Sequence, residues 1–195
     1  HLLDLCEEKK EEFKTKLIPI VSSARAASIL AKKWIRHFNY VPDGFVVEGP
    51  MAGGHLGFKE DEITDRAFSL DEIVPPVEVA KKLEDKCGHN VPVIAGGGVF
   101  TGADIRRILS LGASGVQMAT RFVATEECDA DVRFKEAYIS AKPEDITIIH
   151  SPVGMPGRAI DNAFIEAARD GKKKPFKCTY HCVKTCDPEK SPYCI

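Results

Sequence analysis

The 195-residue chain contains no run of about 18 apolar residues, and that absence excludes a membrane-spanning helix. It also lacks a strong excess of either charge. Against 27 Lys and Arg stand 29 Asp and Glu, a formal net charge of -2, so nothing in the balance points to nucleic acid as a partner. The one basic cluster, Lys172-Lys173-Lys174, reads as a solvated loop. No signal-peptide pattern opens the chain, because His1 to Lys16 is acidic and broken by charges, and a cytoplasmic location is the expectation. What is present, 44% hydrophobic and 29% charged residues, is ordinary globular composition with material for one sizeable core.

Cysteine is not scarce, but its number, seven, is odd. Cys6, Cys87 and Cys128 are isolated and read as reduced structural residues. Cys178, Cys182, Cys186 and Cys194 crowd the stretch CTYHCVKTCDPEKSPYCI, which also holds His181. Their C-x3-C-x3-C spacing places three thiols on one helical face, where zinc or an iron–sulfur cluster could be held. The spacing does not match the paired knuckles of structural zinc sites, so reduced thiols and no metal are expected.

Along the chain, strand and helix signals alternate. LIPIVSS (17–23), GFVVEG (44–49), VPVIAGG (91–97) and GVQMAT (115–120) read as strands, the first weakened by Pro19, which cannot donate to a ladder. Ala27, Leu30, Ala31, Trp34, Ile35 and Phe38 recur at helical spacing after Ser22 or Ser23 as N-cap. Pro76 opens a second helix with Val77, Ala80, Leu83 and Cys87 on one face. Thr101 and Asp104 form a capping box for a third, in which Ile105, Ile108 and Leu109 are the inward stripe and Gly112 is the stop. A looser helix is expected over 131–141, a strand at ITIIHS (146–151), a loop at SPVGMPGRA, and a helix from Asp161 to Arg169.

Short connections between alternating strands and helices imply parallel pairing with right-handed crossovers, in a doubly wound sheet or a barrel. Unusual residues gather at three strand ends: Glu48 to His55, Gly96 to Gly98, and Gln117 to Thr120. In a (β/α)8 barrel that end is the catalytic face, with a phosphate often held between the last strands. A barrel needs about 250 residues, and only four convincing βα units are found here. Gly97 and Gly98, between a strand and a capped helix, would let backbone amides approach a phosphate. Tight-turn geometry would explain either turn taken singly, but two at adjacent strand ends favour a phosphate, and the flanking AGG and LGF favour a functional role for His55 over a loop histidine capping a carbonyl.

Three segments, VEGPMAGGHLGF, PVIAGGGVFTGADIRRILSLGASGVQMATRFVAT and SPVGMPGRAIDN, occur in an order and spacing that resembles the nitronate monooxygenase (2-nitropropane dioxygenase) family of FMN enzymes. The flavin-dependent enoyl-acyl-carrier-protein reductases share the first two. The resemblance covers most of residues 16–165. It implies an α/β fold of the (β/α)8 TIM-barrel type, with this chain similar to strands five to eight plus part of a C-terminal extension. The expected division is a partial FMN-binding barrel over 1–170 and a Cys-rich segment over 171–195.

By the same resemblance, the FMN phosphate lies between Gly98 and the turn Gln117-Met118-Ala119-Thr120, with Gly97 beside it and Thr120 donating its hydroxyl and amide. Ala119 departs from the family, which usually has glycine there, and its Cβ would crowd the phosphate if the backbone required φ > 0. Glu48 corresponds to a flavin-contacting position. Gly53 and Gly54 leave a loop flat enough to lie against an isoalloxazine ring, and His55 corresponds to the catalytic histidine that removes a nitroalkane C–H proton. An imidazole with an ordinary pKa of about 6.5 suits that task. His150 and Arg158 are structural or pocket wall. The readings this leaves are oxidation of nitronates or nitroalkanes with O2, NAD(P)H-dependent reduction of an enoyl thioester or quinone, and an inactive or partner-dependent barrel fragment. The expected partners are a small-molecule substrate and either a second copy or a missing barrel half.

Overall fold

The computed structural model describes residues 15–73, 77–172, 178, 186–191 and 193. In chain order the elements are β1 (Ile20–Val21), α1 (Ala24–Phe38), β2 (Phe45–Glu48), β3 (Gly54–His55), α2 (Leu70–Ile73), α3 (Val77–Cys87), β4 (Val93–Gly96), α4 (Gly102–Ser110), β5 (Gly115–Gln117), α5 (Thr120–Val123), α6 (Val132–Ser140), β6 (Ile146–His150), β7 (Pro156–Ile160) and α7 (Ala163–Arg169). They divide into two compact units, one formed by residues up to Met51 with Thr64–Met118, the other by Ala52–Ile63 with the chain from Ala119 onward.

The first unit carries a four-stranded parallel sheet in the order β1-β2-β4-β5. Phe45, Val46 and Val47 are all buried, as are Val93 and Ala95 on β4. Consecutive buried residues mean that both faces of β2 are covered, the usual condition of a parallel strand and the reason it reads as an uninterrupted apolar run. At the sheet's entrance Asp43 accepts from the Leu17 amide and from Lys16 Nζ, each at 2.9 Å, and from the Tyr40 hydroxyl. β1 is shorter than LIPIVSS suggests, because Pro19 lacks a donor and serves only through its carbonyl, which accepts from Val46 N–H at 3.0 Å.

Ser23 is the N-cap of α1, its hydroxyl accepting from Ala26 N–H at 3.1 Å, and Asn39 in the left-handed region closes the helix. Only Ala27 and Ala31 of its apolar stripe are fully buried; Leu30, Trp34, Ile35 and Phe38 are half-buried. The Thr101–Asp104 capping box is present in full, with Thr101 Oγ1 accepting from Asp104 N–H at 3.2 Å and Asp104 Oδ2 accepting from Thr101 N–H at 2.8 Å. Of the inward stripe of α4 only Ile108 is buried; Ile105 is half-buried and Leu109 is 44% exposed.

The second unit is built on an antiparallel sheet in the order β3-β7-β6. Here one expectation fails: SPVGMPGRA is not all loop, since its second half is strand β7. Two prolines and two glycines depress strand propensity, yet Pro156 stands first in the strand, where a missing N–H is tolerated. Helices α6 and α7 fall where expected, capped by Asp131 and Asn162. GVQMAT is shorter as a strand than its sequence suggests, ending at Gln117. Pro76, Lys173, Lys174, His181, Cys6, Cys182 and Cys194 lie outside the described residues. Cys87, Cys128, Cys178 and Cys186 are free thiols. Among the described residues no group of three or more His, Cys, Asp or Glu is arranged to hold a metal ion, and no helix is long and apolar enough to cross a membrane.

Candidate active site

At the C-terminal edge of the parallel sheet the register puts Glu48, Gly96 and Gln117 in one row. Residues aligned across parallel strands project to the same face, so a carboxylate and an amide flank a position with no side chain. Gln117 leans over that gap: a Cβ added to Gly96 would lie 3.3 Å from Gln117 Cβ and 3.8 Å from its Nε2. Burial alone raises the Glu48 carboxyl above its ordinary range. Such a group costs the fold something when ionised, and a sheet needs no carboxylate there.

Beyond Gly96 the backbone turns through Gly97 (φ 90°) and Gly98 (φ 82°), two successive residues in a region that L side chains avoid. A Cβ on Gly98 would also meet Met51 Cβ at 3.0 Å. The backbone conformation therefore calls for glycine at Gly98, which is itself exposed, and any side chain there would also have to displace Met51. Met118 follows the neighbouring strand β5, so the glycine turn and the start of the Gln117-Met118 turn leave adjacent strand ends. Ala119 and Thr120 belong to the second unit, where Ala119 (φ -122°, ψ -59°) precedes α5 and Thr120 opens it. The φ of Ala119 is negative, so the left-handed backbone that would demand glycine there is absent.

In the second unit Gly53 and Gly54 form an exposed, bare ledge. A Cβ built on either meets nothing within 4 Å, so packing against the described residues does not demand glycine at Gly53. Gly54, at φ 74°, has a conformational reason as well. The ledge is anchored from below by Arg158, whose Nε donates to the Ala52 carbonyl at 3.2 Å. Burial lowers the Arg158 pKa from its ordinary value. His55 follows in β3, paired with Gly157 of β7, and Leu56 N–H donates to Pro156 O at 2.8 Å. His150 is exposed, with Nε2 3.9 Å from Glu60.

One partner of His55 is not evident in the sequence. Its Nε2 lies 2.5 Å from the hydroxyl of Ser151, which is buried. The two residues are 96 positions apart, and the only signal in the sequence is a serine shared by the end of the expected strand ITIIHS and the start of the expected loop SPVGMPGRA.

The family model for nitronate monooxygenase matches residues 4–187. Among curated relatives, a probable nitronate monooxygenase of Staphylococcus saprophyticus is 30% identical over 158 residues, which is 81% of this chain and 41% of that protein. Its counterpart in Staphylococcus haemolyticus is 32% identical over 136 residues, 69% of this chain and 36% of that one. Among solved structures, FabK from Thermotoga maritima aligns with a TM-score of 0.60 at 27% identity, covering 87% of this chain and 52% of that one. A nitroalkane oxidase from Streptomyces ansochromogenes aligns at 0.56 and 24% identity, over 78% and 40% of the two chains, a likeness of fold. The chain thus spans less than half the length of these curated relatives.

Proposed function

The chain belongs to the nitronate monooxygenase family, with an α/β fold of the TIM-barrel type of which it covers a part, and from that premise we propose that the protein is an FMN-dependent oxidoreductase that oxidises nitronates and nitroalkanes with O2. The observation that carries the reading is local. Glycines that the described chain does not need for packing form the ledge leading into a histidine, and two glycines that the backbone does need follow the sheet edge where Glu48 and Gln117 flank Gly96, a position without a side chain that Gln117 overhangs.

Each feature, taken within its own unit, suits one part of an FMN molecule. Gly97 and Gly98 would present backbone amides to its phosphate, with Gln117, Met118, Ala119 and Thr120 as the second assigned contact. Glu48, Gly53 and Gly54 are assigned to the flavin ring. When bound, FMN supplies an electron acceptor for the nitronate and a means of passing those electrons to O2. The chain's own task is the proton. A nitroalkane C–H must break before the anion exists, and His55 is assigned as the base that accepts that proton.

The parallel sheet ends at β1 and β5, beyond which no described strand pairs. Ile20 on β1 is 59% exposed. We infer that further strands, from the rest of a barrel or from a second copy, pack there. The enzymatic reading is tested by oxygen uptake with propyl-2-nitronate in the complete, flavin-loaded protein without NADH. Uptake supports it. Activity that appears only with NAD(P)H and an enoyl thioester or quinone would favour the reductase, and a full-length protein that retains no flavin would contradict both.

A further inference from the structure

The contact between His55 and Ser151 decides which ring nitrogen can act, an inference that rests on the proposed role of His55 as base. Ser151 is a fixed point. Its N–H donates to Met155 O at 3.0 Å, its carbonyl accepts from Gly154 N–H at 2.9 Å, and Gly154 sits at φ 81° in the turn between β6 and β7. Its side chain is equally constrained, because Oγ accepts from Val153 N–H at 3.3 Å and lies 2.5 Å from His55 Nε2. Ser151 is 7% exposed, whereas His55 is exposed.

A hydroxyl has one proton and two lone pairs. Val153 N–H occupies one lone pair. If the Ser151 proton were given to Nε2, the neutral ring would carry its own proton on Nδ1, and neither nitrogen could accept from a substrate. If instead Nε2–H donates to Ser151 Oγ, Nδ1 keeps a lone pair, and Nδ1 has no hydrogen-bond partner among the described residues. Only the second arrangement is a base. It also survives proton transfer unchanged: the substrate C–H bond breaks, its electron pair stays on the nitronate, the proton goes to Nδ1, and Nε2–H of the imidazolium still donates to Ser151.

We propose that Ser151 is a positioning residue that fixes the His55 ring and assigns Nδ1 as the proton-accepting atom. The test has two arms in the full-length flavoprotein. Nitrogen-15 NMR of the wild-type imidazole, at a pH where it is neutral, is expected to show hydrogen on Nε2 and none on Nδ1; hydrogen on Nδ1 would overturn the assignment whatever the protein's activity. Ser151→Ala is expected to lower kcat for a nitroalkane about tenfold, the worth of one hydrogen bond. Flavin content, nitroalkane KM and nitronate turnover should be held, and Ser151→Thr, which keeps the hydroxyl, should recover part of the loss. Equal losses on nitroalkane and nitronate, or no loss on either, would overturn it. Should Ser151→Ala not fold, the wild-type NMR result still decides. A wild type with hydrogen on Nε2 but no nitroalkane oxidation would instead count against the functional reading.

Discussion

Replacing Gly98 by alanine separates the two constraints that hold the glycine turn. The first is conformational: at φ 82° an L residue is strained, by about 1–2 kcal/mol. The second is steric. The new Cβ would stand 3.0 Å from Met51 Cβ and 3.4 Å from its Cγ, an overpacking cost of about 1–2 kcal/mol at the low end of core values, because Met51 is 63% exposed and can yield. Gly98→Ala should therefore destabilise the full-length protein by about 2–4 kcal/mol, a loss of about 1–2 M in urea midpoint at a slope near 2 kcal/mol per M. In a Met51→Gly background the contact is gone, and the same substitution should cost only about 1–2 kcal/mol. Gly102→Ala is the control, since Gly102 opens α4 and a Cβ there meets nothing within 4 Å; a gain of about 0.5–1 kcal/mol is expected. A Gly98→Ala protein as stable as wild type would refute the reasoning, because the turn would then not require a positive φ. If the phosphate assignment holds, the same variant also releases flavin more readily.

Glu48→Gln should raise the urea midpoint at about pH 7, with the difference vanishing on acidification. Burial raises the folded carboxyl above its ordinary 4.5, so its contribution to stability is full below that value and declines as pH rises through the folded pKa. Asp43 behaves oppositely: burial pulls its pKa up, but hydrogen bonds from Tyr40, Leu17 and Lys16 outweigh this and hold it below 3.8. Asp43→Asn should cost about 2 kcal/mol at about pH 7, and the deficit should close as pH falls through the depressed pKa, as followed by urea melts across the acid range. The 195-residue chain on its own should associate through its open sheet edges; a monodisperse monomer in light scattering would contradict the open-edge reading.

The parallel unit was legible because its strands are buried on both faces and bounded by glycine, proline and caps. VPVIAGG and the Thr101–Asp104 box state their own structure within a few residues. The antiparallel unit was less so. β7 is hidden by Pro156 and Gly157, residues that depress strand propensity; Pro156 is tolerated as the strand's first residue, and at Gly157 a Cβ would press on Ile149 Cγ1 at 3.3 Å. The glycines and His55 stood out locally as chemistry, but the Ser151 contact depends on pairing between β3 and β7, which no local pattern encodes. Leu30, Trp34 and Phe38 show the converse. Helical spacing predicts a face, yet only the small Ala27 and Ala31 are fully buried by what the described chain supplies.

The most direct test compares His55→Ala with wild type on a neutral nitroalkane and on its preformed nitronate, in the flavin-loaded full-length protein. Only the neutral substrate must lose a proton, and a positioned base is worth about 10²- to 10⁴-fold in rate. The expected result is a yellow protein whose nitroalkane turnover falls by that factor while nitronate turnover falls far less. Equal losses on both substrates would contradict the role of His55 as base and reassign it to binding or orientation.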